Sequence, residues 1–207
     1  MLKLYTGWTQ DGRKVSIMLE ELGVPYEAIL IDVTKGEQNA PSFRTVNPNG
    51  KIPAILDDGT ADGQPLAVFE SAAILIYLAE KHGRLLPQST RERFLVLEWT
   101  MFQSTGLGPM AAQGHHFRRA APEQIPYAIN RYEAETRRAY GVMDKRLAEH
   151  EFLAGDYSIA DISCYPWVSL HHFQAISLDE YPNLARWFCA IGARPAVARG
   201  MNVPKSK

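Results

Sequence analysis

The stretch NGKIPAILDDGTADGQPLAVFESAAILIYLAEKHG, residues 49–83, carries the strongest structural pattern in the chain. Two β-type runs, IPAIL and PLAVF, flank DDGTADGQ, whose Asp-Gly pairs favour a turn between antiparallel strands. The apolar run that follows, ESAAILIYLAEKH, has the length and composition of a helix. These patterns predict a β-hairpin that leads directly into a helix beginning near Glu70 and Ser71.

Towards the N-terminus, the runs LKLY and YEAILIDV enclose a helical pattern at residues 12–22, which predicts a βαβ unit. Residues 1–83 are therefore predicted to form a small mixed α/β domain. After the connector GRLLPQST, β-type signals nearly vanish and a second domain, residues 90–200, is predicted to be all helical. Its expected helices cover roughly 90–112, 123–149, 158–172 and 181–192. The NVPKSK tail is predicted to fray.

Composition excludes several classes of function. The 207 residues are 46% hydrophobic and carry a net charge of −1, so no bulk field attracts the chain to nucleic acid or to an anionic membrane. The N-terminus MLKLYTGW has no long apolar segment, and no stretch approaches the ~18 apolar residues of a membrane span. A cytoplasmic protein with no nucleic-acid or membrane partner is expected.

Cysteine and histidine give no sign of a disulfide framework or of a metal site. Cys164 and Cys189 are the only cysteines, and both are predicted to be buried on helices. The pairs His115-His116 and His171-His172 cannot chelate alone, because adjacent helical residues point about 100° apart. No metal is expected.

The helix start at Glu70 and Ser71 has the groups needed to bind an amino acid zwitterion. Backbone amides and the Ser71 hydroxyl face the positive end of the helix dipole, which favours a carboxylate. The Glu70 carboxylate suits an α-ammonium group. Ser is also a common helix cap, so Ser71 serving only its own helix is the alternative.

A mixed α/β domain followed by an all-helical one resembles the soluble glutathione transferase superfamily. The resemblance implies a thioredoxin-like N-terminal domain (βαβαββα) in which Ile52 offers its backbone N–H and C=O to an extended peptide and Pro53 is cis. An isolated Ile-Pro pair would equally suit a trans proline that opens an edge strand. In this family Glu70 and Ser71 resemble the site for the γ-glutamyl group of glutathione.

The stretch YSIADISCYPW, residues 157–167, resembles the helix start that glutathione transferases carry inside the C-terminal domain. Ser158 and Asp161 have the spacing of a capping box, so we predict that Asp161 accepts hydrogen bonds from amides around Ser158. This motif is expected to act in folding, and Asp161→Ala to cost about 1 kcal/mol or more.

The narrower resemblance is to the nu-class bacterial glutathione transferases, also described as disulfide-bond oxidoreductases and related to a yeast nitrogen regulator of the same fold. It covers nearly the whole chain. Its motifs are the TxDG turn (9–12), KGEQNAPSFRTVNPNGKIPAI (35–55), PLAVFESAAILIYLAEK (65–81), GLGPM (106–110), GHHF (114–117) and IPYAINRYEAETRR (125–138).

In that class, a threonine hydroxyl at the turn after the first strand and a nearby asparagine contact the glutathione sulfur. Thr9 matches the threonine, whereas Asp11 stands in place of the asparagine. Asp11 is therefore a catalytic candidate beside Thr9, which either approaches the sulfur or only caps the first helix. The cap is favoured, because a carboxylate beside a thiolate would raise the pKa of the sulfur. Tyr5 is an alternative sulfur ligand, but its place in strand one favours a packing role.

The resemblance also implies that Gln38, Lys51 and Arg131 bind glutathione, with Arg131 contacting a carboxylate. For Arg131 the alternative is a solvated helix face. Trp8, Phe117 and Tyr165 are candidates for an apolar second-substrate pocket, or for ordinary core packing.

Since this turn has no cysteine, the reactive sulfur is expected to come with glutathione. Thr9 and the helix amides would stabilise the glutathione thiolate, which attacks a small disulfide. The alternatives are conventional conjugation of glutathione to carbon electrophiles, or non-catalytic glutathione binding, as the resemblance to the yeast regulator allows. The resemblance also implies a homodimer in which the N-terminal domain of one subunit meets the helical domain of the other. The high aromatic and apolar content of residues 94–110 supports this expectation.

Overall fold

The computed structural model describes residues 1–204, and the chain divides into two compact units. The first unit comprises Met1–Arg84 together with the segment that begins at Arg194, and the second is Leu85–Ala193. The predicted second domain ran to residue 200, so the two divisions differ at their C-terminal end. Within residues 1–204, no helix combines the length and the apolar character needed to cross a membrane.

The first unit is a four-stranded sheet with helices, in the predicted order βαβαββα. Its elements are β1 (Leu2–Thr6), α1 (Gln10–Leu22), β2 (Tyr26–Leu30), α2 (Pro41–Arg44), β3 (Ala54–Asp57), β4 (Leu66–Phe69) and α3 (Ser71–His82). The strand order is β2-β1-β3-β4, with β1 and β2 parallel and the other two pairs antiparallel. The thioredoxin-like fold and the hairpin between residues 54 and 69 are therefore confirmed.

The core of this unit lies between β1, β3 and the two long helices. Leu4, Ile17 and Ile55 are completely buried, as are Ile74 and Leu75 of α3. Helix α1 ends at Gly23, whose φ of 69° is left-handed, so the chain can turn back into β2. Helix α1 packs against α3, and the Lys14 side chain near the start of α1 reaches Ser71 at the start of α3, so the N-termini of the two helices lie close together.

The C-terminal segment belongs to the first unit because its last helix, α9 (Pro195–Gly200), packs on α1. A Cβ atom at Gly200 would lie 2.5 Å from the Ile17 Cα, so only glycine allows this close approach. The Ser16 hydroxyl donates to the Gly200 carbonyl at 2.7 Å. The predicted fraying of the tail falls partly on residues 205–207, which lie outside the described residues.

The second unit is helical, which confirms the predicted all-α C-terminal domain. Its helices are α4 (Thr90–Met101), α5 (Gly108–Arg119), α6 (Pro126–Leu147), α7 (Ile159–Val168) and α8 (Pro182–Gly192). The expected single helix over 90–112 is interrupted by a π-helical turn, Phe102–Leu107. The expected helix over 158–172 ends earlier, at Val168, and a 3-10 turn, His171–Gln174, follows it.

The predicted capping box at the start of α7 is confirmed. The Ser158 hydroxyl accepts from the Ala160 amide, and the Ser158 amide donates to Asp161 Oδ2 at 3.0 Å. Asp161 is fully buried, and its Oδ1 also accepts from the Leu153 amide at 3.1 Å and from the Trp187 indole at 2.8 Å. One carboxylate thus joins α7, α8 and the preceding loop.

The cysteines differ from the expectation in one respect. Cys164 is buried on α7, as predicted, but Cys189 is exposed on α8. The prediction for Cys189 was wrong because α8 is amphipathic: Leu184, Trp187 and Ile191 take its buried face, and position 189 falls on the opposite face.

Candidate active site at the N-termini of α1 and α3

Thr9 is the N-cap of α1, at the turn that follows β1. Its backbone is extended, with φ −116° and ψ 156°, and its Oγ1 accepts the Gly12 amide N–H at 3.1 Å. Because that bond uses an oxygen lone pair, the Thr9 hydroxyl proton remains available to an acceptor outside the helix. The prediction that Asp11 caps this helix was wrong: Asp11 lies inside the first turn, and its Oδ1 contacts the Lys14 Nζ at 2.7 Å.

Glycine makes this turn compact. A Cβ atom at Gly12 would lie 2.4 Å from Thr6 Oγ1 and 2.9 Å from the Gly7 carbonyl oxygen. A Cβ atom at Gly7 would lie 2.7 Å from Ile52 Cδ1. The Thr9 turn and Ile52 are therefore immediate neighbours.

The Ile52-Pro53 peptide bond is cis, as the resemblance implies. It lies just before β3, where Ala54 pairs with Tyr5 on one side and with Phe69 on the other. Among residues 1–204, the N–H and C=O of Ile52 have no backbone hydrogen-bond partner. An extended peptide beside Ile52 could use both groups, as an added strand would.

Glu70 precedes α3 in a conformation that L-residues rarely adopt, with φ 68° and ψ 116°. It occupies the N-cap position without a side-chain cap bond, and its side chain is exposed. Strain of this kind costs about 1–3 kcal/mol and concentrates at functional positions. Ser71 is the first residue of α3 and not its cap, so the alternative in which Ser71 only caps its own helix does not hold.

Lys14 connects the two helix starts and was not singled out from the sequence. Its side chain is buried, and its Nζ donates to Ser71 Oγ at 3.3 Å while contacting Asp11 at 2.7 Å. A signal was present, because Lys14 lies three and four positions before the buried Ile17 and Met18, on the inner face of α1.

Two further polar side chains of α1 each have a buried nitrogen atom without a hydrogen-bond partner among the described residues. Gln10 is 8% exposed, and its Nε2 has no hydrogen-bond partner among the described residues. The same is true of the Nε of Arg13, and burial of that guanidinium lowers the pKa of Arg13 from its usual value. Neither residue was identified from the sequence.

The remaining glutathione-binding candidates lie outside the two helix starts. Gln38 is part of the 3-10 turn Glu37–Asn39, and its buried Oε1 has no hydrogen-bond partner within residues 1–204. Lys51 is exposed next to Ile52. Arg131 belongs to the second unit, where it is exposed on α6 beside Tyr127 and Asn130 in a depression of about 490 Å³.

Of the aromatic candidates, Trp8 lies in the first unit, directly before Thr9. Its ring is 51% exposed, and its indole N–H donates to the Pro204 carbonyl at 3.0 Å. In the second unit, Phe117 stacks on Tyr132, and Tyr165 is buried against Phe188. Tyr5 packs at 5.8 Å from the Phe43 ring, which favours its predicted packing role. The described residues include no cluster of three or more metal-ligating side chains.

Comparison with known families agrees with this arrangement. Residues 12–81 match the glutathione S-transferase N-terminal domain, and residues 117–195 match the glutathione S-transferase C-terminal domain. The chain belongs to the glutathione S-transferase family. The superfamily resemblance is thereby confirmed.

Among its relatives, this chain is 49% identical to the Escherichia coli disulfide-bond oxidoreductase YfcG, over 97% of this chain and 94% of that protein. It is 41% identical to the E. coli disulfide-bond oxidoreductase YghU, over 99% and 75% of the two chains.

Solved structures of similar transferases contain glutathione or glutathione disulfide. A Burkholderia graminis glutathione transferase with two glutathione molecules bound per subunit has a TM-score of 0.94 and 44% identity, with 100% of this chain and 89% of that chain covered. A Pseudomonas putida glutathione transferase with one glutathione disulfide bound per subunit has a TM-score of 0.94 and 41% identity, with 98% and 91% covered.

Proposed function

We propose that this chain is a glutathione-dependent disulfide-bond oxidoreductase in which the thiolate of bound glutathione is the nucleophile. The observation that carries the proposal is the Thr9 hydroxyl, which accepts the Gly12 amide N–H and so keeps its own proton for an external acceptor. A thiolate at the N-terminus of α1 would receive that proton as a hydrogen bond, and the helix dipole would favour its negative charge. No protein cysteine is assigned a part in this proposal, because the turn at Thr9 has none and the reactive sulfur comes with glutathione.

The reaction consists of two exchanges at sulfur. One glutathione thiolate attacks a sulfur of the substrate disulfide, forms a mixed disulfide and releases one substrate thiolate. A second glutathione thiolate then attacks the glutathione sulfur of the mixed disulfide, forms glutathione disulfide and releases the second substrate thiolate. Two glutathione thiols are oxidised while one disulfide is reduced to two thiols. Relatives named for this activity, and neighbours that hold two glutathiones or glutathione disulfide, support the proposal.

The rest of glutathione is assigned to the groups around the turn. Ile52 pairs with the cysteinyl backbone, while Glu70 and Ser71 bind the ammonium and carboxylate of the γ-glutamyl group. Gln38 and Lys51 contribute further polar contacts, and the unpartnered Oε1 of Gln38 suits an amide N–H donor. Arg131 is the candidate for a carboxylate, through its planar guanidinium.

Location and assembly follow from the proposed chemistry and the resemblance. Glutathione acts as a reductant where its pool is kept reduced, so we place the protein in the cytoplasm. We also propose a homodimer, which the resemblance implies.

The test compares disulfide reduction with conjugation in the same preparation. Glutathione-dependent reduction of hydroxyethyl disulfide, coupled to glutathione reductase, should be robust, while conjugation to an aromatic halide should be weak. Thr9→Val should lower kcat of disulfide reduction by about 10- to 100-fold, the equivalent of one hydrogen bond to a charged group, with little change in glutathione affinity. Thr9→Ser should keep most of the activity.

A further variant separates capping from catalysis. Thr9→Asp retains a good helix cap but has no proton to donate at neutral pH, so it should fold like the wild-type protein and lose turnover. Robust conjugation with undetectable disulfide reduction would refute the proposal in favour of a conventional transferase. Glutathione binding without either activity would favour a regulatory role.

A further inference from the structure

Lys14 occupies a buried position that is energetically unfavourable for a cation. The side chain is only 2% exposed, and burying an ammonium group costs several kcal/mol unless charges and hydrogen bonds compensate. The site is also close to the starts of α1 and α3, whose dipoles disfavour positive charge. Asp11, with a side chain 41% exposed, supplies a compensating charge at 2.7 Å.

The contact between Lys14 and Ser71 determines whether the serine hydroxyl acts as a hydrogen-bond donor or as an acceptor towards Lys14. An ammonium group can only donate, so at 3.3 Å the Ser71 Oγ must be the acceptor. The hydroxyl proton then points to an acceptor other than Lys14. Hydrogen bonds in such a chain strengthen one another, so the Ser71 hydroxyl becomes a better donor.

We propose that Lys14 is a positioning residue that sets Ser71 as a hydrogen-bond donor to the α-carboxylate of the γ-glutamyl group, while Asp11 holds the Lys14 ammonium in place. This inference rests on the proposed function, because it requires glutathione at the start of α3. Lys14 acts through Ser71 and does not touch the ligand, since its side chain is buried behind the serine. Recognition of the γ-glutamyl end is thereby linked to Asp11, the residue beside the proposed thiolate position.

The test uses a pair of ligands that differ only at this carboxylate. Glutathione and its analogue with 4-aminobutyryl in place of γ-glutamyl both keep the amine, the thiol and the glycine, but the analogue lacks the α-carboxylate. Their dissociation constants are measured by calorimetry for the wild-type protein, Lys14→Met, Ser71→Ala and the double variant. The wild-type protein should prefer glutathione by about 10- to 100-fold, as expected for one charge-assisted hydrogen bond.

Lys14→Met should reduce that preference several-fold, and Ser71→Ala should remove most of it. Because both substitutions act on one hydrogen bond, the double variant should prefer glutathione over the analogue to the same extent as Ser71→Ala alone. Asp11→Asn should lower the preference as Lys14→Met does, because it removes the charge that holds the Lys14 ammonium. Lys145→Met, which removes an exposed lysine of α6, should leave the preference unchanged and serves as the matched control.

Equal weakening of both ligands by Lys14→Met, with the preference unchanged, would assign Lys14 to folding alone and overturn the inference. Independent, additive losses from Lys14→Met and Ser71→Ala would also overturn it. If Lys14→Met does not fold, Asp11→Asn/Lys14→Met removes both charges of the pair and should show the same loss of preference. Failure of the wild-type protein to bind glutathione would overturn the proposed function, and this inference with it.

Discussion

Glu70 holds a backbone conformation that costs stability, and its exposed side chain gives little in return within the protein. At φ 68° and ψ 116°, a Cβ atom is unfavourable, whereas glycine adopts this region freely. No capping bond from the Glu70 side chain offsets that cost. We propose that a ligand compensates for this strain, and that the partner of Glu70 is the ammonium group of glutathione.

The prediction at this residue is that stability and binding change in opposite directions. Glu70→Gly should raise the free energy of unfolding by up to about 2 kcal/mol, since relief of about 1–3 kcal/mol of strain exceeds the entropy that glycine adds to the unfolded state. The same variant should weaken glutathione binding about tenfold or more, because one charge-assisted bond is lost. Urea denaturation and calorimetry measure the two effects.

Glu70→Ala is the matched control, because it removes the carboxylate but keeps the Cβ atom. It should lose affinity as Glu70→Gly does, without the gain in stability. A Glu70→Gly protein that is no more stable than Glu70→Ala would show that the backbone at this position carries no strain.

At the level of elements, the start of α7 depends on one buried carboxyl group. Burial raises the pKa of Asp161 to about 6, while the bonds from the Trp187 indole and from the Leu153 and Ser158 amides act in the opposite direction. Below about pH 4 this group is protonated in the folded and unfolded states. Between about pH 4 and 6, Asp161 is already deprotonated in the unfolded state but still protonated in the folded state. The free energy of unfolding therefore falls as the pH rises through this range, and it stops changing on account of this group above about pH 6.

Asp161→Asn should abolish that pH dependence. Asparagine has one hydrogen-bond acceptor fewer, which should lower the free energy of unfolding by about 1–2 kcal/mol at every pH. The difference in free energy of unfolding between the variant and the wild-type protein should therefore change between about pH 4 and 6 and stay constant above about pH 6. In the wild-type protein, the indole N–H resonance of Trp187 should titrate with a midpoint near pH 6, because that group donates to Asp161 at 2.8 Å. An indole resonance that stays fixed from pH 4 to 8 would contradict the raised pKa.

Elements whose signals are local could be predicted from the sequence, and those set by tertiary contacts could not. The hairpin, α3 and the Ser158–Asp161 capping box follow from residues close together in the chain. The cap of α1 does not, because Thr9 and Asp11 are both good capping residues and the extended backbone at Thr9 decides between them. Lys14 was missed for a similar reason: its charge indicates the surface, and only the contact between α1 and α3 shows that it is buried.

At the level of the whole molecule, the first unit is built from two segments that are far apart in the sequence. The chain leaves the first unit after Arg84 and returns to it at Arg194, where two bonds join that guanidinium to the Glu21 carboxylate at 2.7 and 3.0 Å. The returning segment also supplies the Pro204 carbonyl to the Trp8 indole, next to Thr9. The C-terminal segment therefore supports α1 and the turn proposed to hold the glutathione sulfur.

The last prediction concerns assembly. Phe94 is 62% exposed and Met101 is 39% exposed, and because they are seven residues apart they lie on the same face of α4. The first unit has an exposed apolar residue of its own, Leu66, on the edge strand β4. In a two-fold dimer, the first unit of each subunit would contact the second unit of the other. The exposed apolar residues of α4 and β4 would then be buried in both copies of this contact.

Light scattering at micromolar concentration should accordingly give twice the chain mass of 23.2 kDa. Phe94→Glu should shift the protein to the monomer, because it places a charge in an apolar contact, whereas Val142→Glu, at an exposed position on α6, should leave the dimer intact. A wild-type protein of single-chain mass would contradict the homodimer. A dimer that persists in Phe94→Glu would instead place the interface away from this face of α4.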